Sequence, residues 1–247
     1  MLSRNFRLQR VGNLEWLQKH YNFTKIAFYI DELIVLDVTR RERDFDDFCE
    51  ILKKLTNGCF VPIAAGGGVR TINHARKLLR SGADKVVVNT SLFKQLNFVE
   101  NLAEEFGQQC IVGSVDMKRK RGGAYQIYVE SGTEGVNHET TSALQELTEG
   151  LVGEVYLNSI DQDGTGQGYD LEMLEYFSNQ WNTPLILAGG VGNESHLAKG
   201  FEKMHVDAVA TAHLFNFMGN GLQKARENLL KRGVKLARWP TTDKNKQ

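Results

Sequence analysis

The chain has 247 residues, is 41% hydrophobic, and balances thirty basic against thirty acidic side chains for no formal net charge. That length supports one large α/β domain or two small ones, and the neutral balance gives no global attraction to nucleic acid or a membrane surface. No apolar run reaches the roughly 18 residues of a spanning helix, "MLSRNFRLQR" has no apolar core for a secretion signal, and Cys49, Cys59 and Cys110 offer no close pair for a disulfide or zinc framework, which fits a cytoplasmic protein.

The N-terminal "MLSRNFRLQRVG" places Phe6, Leu8 and Val11 among three arginines, a poor barrel stave, and a helix is expected over 13–29. Short apolar runs then alternate with amphipathic stretches. "ELIVLDV" (32–38) precedes a helix near 44–56, "FVPIAAG" (60–66) one near 71–81, and "KVVVNT" (85–90) one near 94–106. "CIVGSVD" (110–116) leads into "MKRKRGGAYQIYVESG" (117–132), whose Gly-Gly between a basic run and "AYQIYV" predicts an inserted β-hairpin over the barrel mouth, with a helix near 138–150 beyond it. "EVYLNSI" (154–160), "PLILAGG" (184–190) and "DAVATA" (207–212) are followed by helices near 170–180, 193–203 and 219–232. Near-continuous apolar strands, each followed by a helix, indicate a parallel sheet covered on both faces. Seven such units predict a (β/α)8 barrel over 1–236, with a polar tail over 237–247. Strand one is degenerate or missing, so a gap or a substitute segment is expected between the strands at 32–38 and 207–212.

An internal repeat supports a barrel of two halves. "VPIAAGGGVRTINHARKLL" (61–79) aligns with "TPLILAGGVGNESHLAKGF" (183–201) at an offset of 122, matching Pro62/Pro184, Gly67/Gly189, Gly68/Gly190, Val69/Val191, His74/His196 and Lys77/Lys199. The strands that follow, "ADKVVVNTSLF" and "VDAVATAHLF", also correspond with one residue slipped. A copied half-barrel is the economical account.

Function in such barrels gathers on the loops after strand C-termini. Glycines there let a phosphate approach backbone N–H groups beside a helix N-terminus. Gly67, Gly68, Asn89 and Thr90 form one expected anion site, and Gly189, Gly190, Ala212 and His213 its twin. A lone Gly-Gly more often serves only a tight turn, but duplication favours phosphate, and two sites imply a substrate with a phosphate at each end. Acids close other strands: Asp37, Asp116, and Asp161 with Asp163. A carboxylate at a barrel mouth can act as general acid or base. For Asp37 a loop-backbone role stands equally, whereas Asp116 and Asp163 are placed to flank one substrate. The basic run 118–121 either touches phosphate or is a solvated loop. His74 and His196 read as surface or packing residues. "NSIDQDGTGQGYDLE" (158–172) has the ligand spacing of an EF-hand, but a strand precedes it where that motif needs a helix. It is therefore expected to be a strand-to-helix loop, with Glu172 opening the helix.

Five ordered stretches, "VPIAAGGGVRT", "RSGADKVVVNTSLF", "CIVGSVDMKR", "NSIDQDGTGQGYDLE" and "PLILAGGVGN", together resemble the cyclase subunit of imidazole glycerol phosphate synthase (HisF). The resemblance spans about Ile30 to Lys231. It implies a twofold-symmetric (β/α)8 barrel that uses ammonia from a glutaminase (HisH-like) partner to close an imidazole ring on a doubly phosphorylated ribonucleotide. It implies catalytic roles for Asp116 and Asp163, phosphate-site roles for Gly68, Asn89, Thr90, Gly164, Gly190, Ala212 and His213, and an ammonia entrance at Glu32, Lys85 and Glu154. Neither metal nor cofactor is expected. His213 stands where the family usually has serine. The family's other catalytic aspartate, at the end of strand one, has no counterpart here, and "SRNFRLQRVGN" resembles the segment after that strand. The chain is thus expected to start beyond strand one. Two alternatives follow: a paralogue using ammonia on a sugar nucleotide for surface polysaccharide synthesis, or an inactive barrel that binds and activates a glutaminase.

Overall fold

In the computed structural model, which describes residues 2–4, 7–9, 13–16, 26–40, 42–137, 139, 142, 144, 150–177, 181–212 and 220–237, the apolar runs are strands and the amphipathic stretches helices. Strands β1 (Leu2–Arg4) and β2 (Arg7–Gln9) pair only with each other, antiparallel. After a 3₁₀ turn at Ala27–Tyr29 come β3 (Leu33–Leu36), α1 (Phe45–Thr56), β4 (Ile63–Gly66), α2 (Ile72–Arg80), β5 (Lys85–Val88), α3 (Thr90–Lys94) and α4 (Leu96–Phe106). Strand β6 (Ile111–Arg119) continues into β7 (Tyr125–Val129) and β8 (Glu134–Gly135). Then follow β9 (Glu154–Ser159), β10 (Leu185–Ala188), α5 (Glu194–Phe201), β11 (Ala208–Val209) and α6 (Gly221–Lys231).

Seven parallel strands form one sheet in the order β3-β4-β5-β6-β9-β10-β11, with β7 and β8 added antiparallel beside β6. Side-chain alternation explains why the strand sequences carry almost no polar residues. Ala64, Val87 and Val112 point to the inner face, where Ile34, Leu36 and Tyr156 pack on them. Their neighbours Ile63, Ala65, Val86, Val88 and Ile111 point outward into a larger core beneath the helices. Both faces are buried, so both registers are apolar. The helices are capped as their sequences direct. Asp44 accepts from Asp47 N at 2.9 Å, and Asp46–Asp47 and Lys53–Lys54 complement the dipole of α1.

The sheet curls around a central cavity whose wall includes Ile34 and Leu36 of β3 and Ala208 and Val209 of β11. Yet β3 and β11 are its two edges, and among the described residues no strand joins them. The N-terminal hairpin is not a stave. Among the described residues, this is the expected gap at the position of strand one.

Two expectations are modified. Strand 207–212 shrinks to Ala208–Val209, and the helix near 170–180 is a 3₁₀ turn, Leu171–Tyr176. Both ends of that turn are pinned to Tyr125: Tyr125 OH donates to Asp170 Oδ1 at 2.6 Å, and Tyr125 N donates to Tyr176 OH at 2.9 Å. The greater rise of a 3₁₀ winding suits so few residues spanning fixed anchors. The helix near 138–150 and the tail beyond 237 lie largely or wholly outside the described residues, as does most of the expected helix over 13–29, of which residues 14–16 are helical.

Candidate active site

The two halves of the repeat build the same loop. Gly67 and Gly68 take φ of 109° and 70°, and Gly189 and Gly190 take 90° and 98°. A Cβ on Gly67 would lie 2.2 Å from Asp37 O, and one on Gly190 2.1 Å from Gly168 O. No other residue fits such turns. Thr71 caps α2 by accepting from His74 N, and Asn193 caps α5 by accepting from His196 N, both at 3.1 Å. The histidines reach back over their own loops. Arg70 N donates to His74 Nδ1 at 3.5 Å and Gly192 N to His196 Nδ1 at 3.1 Å. The strand starts also match: Ile63 N donates to Asp84 Oδ2 and Leu185 N to Asp207 Oδ2. The aligned histidines, which the sequence reading treated as surface or packing residues, therefore shape the glycine loops.

Between these loops stands Asp116, on β6. It accepts from Asn158 Nδ2 at 2.9 Å and from Asn89 Nδ2 at 3.2 Å. Burial, and secondarily the Asp163 carboxylate, push its pKa up to about 6, against the lowering effect of the two amides. Asp163 sits in the turn after β9, where its N–H donates to Ser159 O at 2.9 Å. The same cavity, of about 960 Å3, is lined by Asp116, Asp163 and Gly164, by Gly67, Gly68, Asn89 and Thr90 of the first loop pair, and by Gly189, Gly190 and Ala212 of the second. His213 lies outside the described residues. Two acids and two glycine loops thus converge on one chamber.

The turn between β7 and β8 forms part of its rim. Glu130 and Ser131 line the cavity with positive φ of 49° and 58°, and Glu130 N donates to Thr90 Oγ1 at 3.1 Å. Arg70 holds the Glu130 carboxylate at 3.2 Å. The basic run faces elsewhere. Arg119 reaches Glu172 at 2.6 Å, Lys118 lies over the Tyr128 ring, and Asp161 accepts from Arg119 N at 2.8 Å. Asp161 and Glu172, two acids of the calcium-like spacing, are thereby tied to Arg119 beside a separate surface depression.

At the opposite, N-terminal ends of the strands, Lys85 Nζ bridges Glu32 Oε2 and Glu154 Oε1, each at 2.7 Å. Burial first, with Glu154 and Asp84, raises the Glu32 pKa against the lowering effect of Lys85. For Lys85, burial pulls the pKa down, but hydrogen bonds to Glu154 and Glu32 outweigh it and the net shift is upward. Glu32 Oε1 and Glu154 Oε2 are buried without a hydrogen-bond partner. Glu32 also lines the central cavity.

The profile of the family described as histidine biosynthesis protein matches residues 17–220. A protein of Parasynechococcus marenigrum (strain WH8102), provisionally named imidazole glycerol phosphate synthase subunit hisF2, is 43% identical over 240 residues, 97% of this chain and 89% of the relative. The chain belongs to the histidine biosynthesis protein family. Within it the chain is a homologue of the HisF-type cyclase subunit.

This HisF homologue also uses residues that sequence reasoning passed over. Asn158 lay inside the quoted 158–172 stretch, but only the pairing of β6 with β9 (Asp116 opposite Asn158) reveals that it holds the acid. Arg43 lines the mouth and ion-pairs with Asp37, Nε to Oδ2 at 3.5 Å. The sequence signal was a cation six residues after a strand-ending acid.

Proposed function

We propose that this HisF homologue is an ammonia-dependent cyclase and lyase of the imidazole glycerol phosphate synthase type. Its substrate is a bis-phosphorylated ribonucleotide in histidine biosynthesis, and its products are an imidazole ring and an aminoimidazole carboxamide ribotide. One observation supports this most: Asp116, with its pKa near 6, stands in a single chamber with two repeated glycine loops. In the proposed reaction each loop holds one phosphate through backbone N–H groups. Asp116 takes or returns a proton at the reacting centre, where a pKa near the working pH serves best. Asp163, beside it, helps to hold the Asp116 pKa up. Ammonia enters past Glu32, Lys85 and Glu154 from a glutaminase partner docked at that end.

The open seam between β3 and β11 favours a second reading. The family's strand-one aspartate has no place among the described staves, so a HisF-like synthase acting on another substrate, a sugar nucleotide, is the alternative. Ammonium-dependent turnover of the purified barrel with the ribonucleotide decides between them. Imidazole product at a rate typical of biosynthetic enzymes supports the first reading. No product with the ribonucleotide, but ammonium-dependent consumption of a sugar nucleotide, supports the second. Stimulation of a glutaminase with no ammonia-driven product would leave only a regulatory barrel.

A further inference from the structure

The two glycine loops are copies, yet they are roofed differently. A Cβ on Gly190 would meet Gly168 O at 2.1 Å and Gln162 Cβ at 3.0 Å, so the loop after β9 covers that turn. A Cβ on Gly68 would meet Arg43 Cδ at 2.8 Å and Arg43 Nη1 at 2.9 Å. Here the roof is a guanidinium. The repeat offset places Thr165 opposite Arg43, so the cation belongs to one half only. Arg43 lines the chamber beside Gly67, Gly68, Asn89 and Thr90. Its Nε lies 3.5 Å from Asp37 Oδ2, beyond a good hydrogen bond, and is buried without a hydrogen-bond partner. An unmade buried donor costs free energy that an incoming acceptor recovers.

We infer that Arg43 is a substrate-binding residue whose guanidinium closes on the anion held at Gly67–Gly68, making that loop the tighter of the two anion seats. The inference rests on reading the two loops as phosphate sites. A planar fork of donors suits two oxygens of one phosphate or diphosphate, which the backbone roof of the second loop cannot offer. Transfer from Asp37 to the ligand satisfies Nε and frees the Asp37 carboxylate at the mouth.

The probe is inorganic pyrophosphate, titrated into the full chain by calorimetry and followed in 15N–1H spectra. The Arg43 Nε–H resonance is identified by its loss in Arg43→Gln. It is expected to shift on titration, and Arg43→Gln to weaken the tighter site about tenfold. Arg43→Lys, which keeps the charge and loses the fork, is expected to fall between the two. An unmoved resonance, or an Arg43→Lys affinity equal to that of the unsubstituted chain, overturns the inference and reduces Arg43 to packing on Asp37. The outcome is separable from turnover. If the proposed reaction is wrong but the anion seat is real, pyrophosphate still binds through Arg43 while the ribonucleotide gives no product. If Arg43 only packs, turnover survives without the pyrophosphate response.

Discussion

Asp116 is subject to opposing influences, and their balance sets both its chemistry and its cost. Burial favours the neutral carboxyl and Asp163 adds like charge, while Asn158 and Asn89 donate to the ionised form. The outcome, a pKa of about 6 against an ordinary 3.8, means that the folded state binds more protons than the unfolded chain between those values. Stability therefore falls as pH rises from about 4 to 6, and the whole penalty, at most about 3 kcal/mol, is present above pH 6. Asp116→Asn is expected to raise the thermal midpoint at pH 8 and leave it nearly unchanged at pH 4, while turnover drops by roughly 10²–10⁴-fold. Calorimetric scans at the two pH values and steady-state rates check both halves. A variant that stabilises equally at both pH values would contradict the titration argument. Asp163→Asn removes a charge that raises the Asp116 pKa. The limb of the kcat/KM profile governed by Asp116 is then expected to move to lower pH, and an unmoved limb would show that the two carboxylates do not share a site.

At the scale of the element, the repeat unit of strand, glycine loop and capped helix is the working part. His196 Nδ1 accepts from Gly192 N, so that nitrogen must carry no proton, and burial beside Lys199 holds the ring's pKa down accordingly. A histidine with a lowered folded pKa contributes stability above its unfolded value of 6.5 and loses it as pH falls. His196→Ala leaves a backbone donor unpaired at the loop and is expected to cost about 1 kcal/mol at pH 8 and less at pH 5. His74→Ala is expected to cost less at pH 8, because its bond is longer, 3.5 Å against 3.1 Å. Urea titrations of both variants at two pH values give the comparison, and an equal loss at pH 8 would mean the ring–backbone bonds are not what the histidines supply. The units themselves were legible, because strands buried on both faces carry an apolar signature that nothing else in the chain imitates. The alignment at offset 122 even paired the two histidines. It could not say what they do, because a ring that folds back on its own loop leaves no periodic trace. Asn158 was hidden for a related reason: its partner Asp116 is 42 residues away and meets it only through strand pairing. The 3₁₀ turn at Leu171–Tyr176 escaped because its two pins come from Tyr125, on an inserted hairpin.

For the whole molecule, seven staves among the described residues close most of a cylinder and leave a seam between them. Leu33 N donates to Pro62 O and Asp37 N to Gly66 O, so in parallel register the odd-numbered amides of β3 face β4. The amides of Ile34 and Leu36 then face the seam, where none of the described residues pairs with them. Unpaired strand edges invite a further strand and are usually covered or kept short, and at the other side of the seam β11 has only two residues. The sequence announced this opening through the absence of a strand-one pattern before "ELIVLDV", whereas the way the two edges still wall one cavity depends on the curl of the sheet. The seam has a measurable consequence. In native-state hydrogen exchange, the Ile34 and Leu36 amides are expected to exchange orders of magnitude faster than that of Val35, which points into the sheet, because their exchange needs no opening of the β3–β4 ladder. Equal protection across the three residues would mean that the edge is paired in solution. If that protection grew with protein concentration, the covering strand would come from a second copy of the chain. If it did not, the cover would lie within the same molecule.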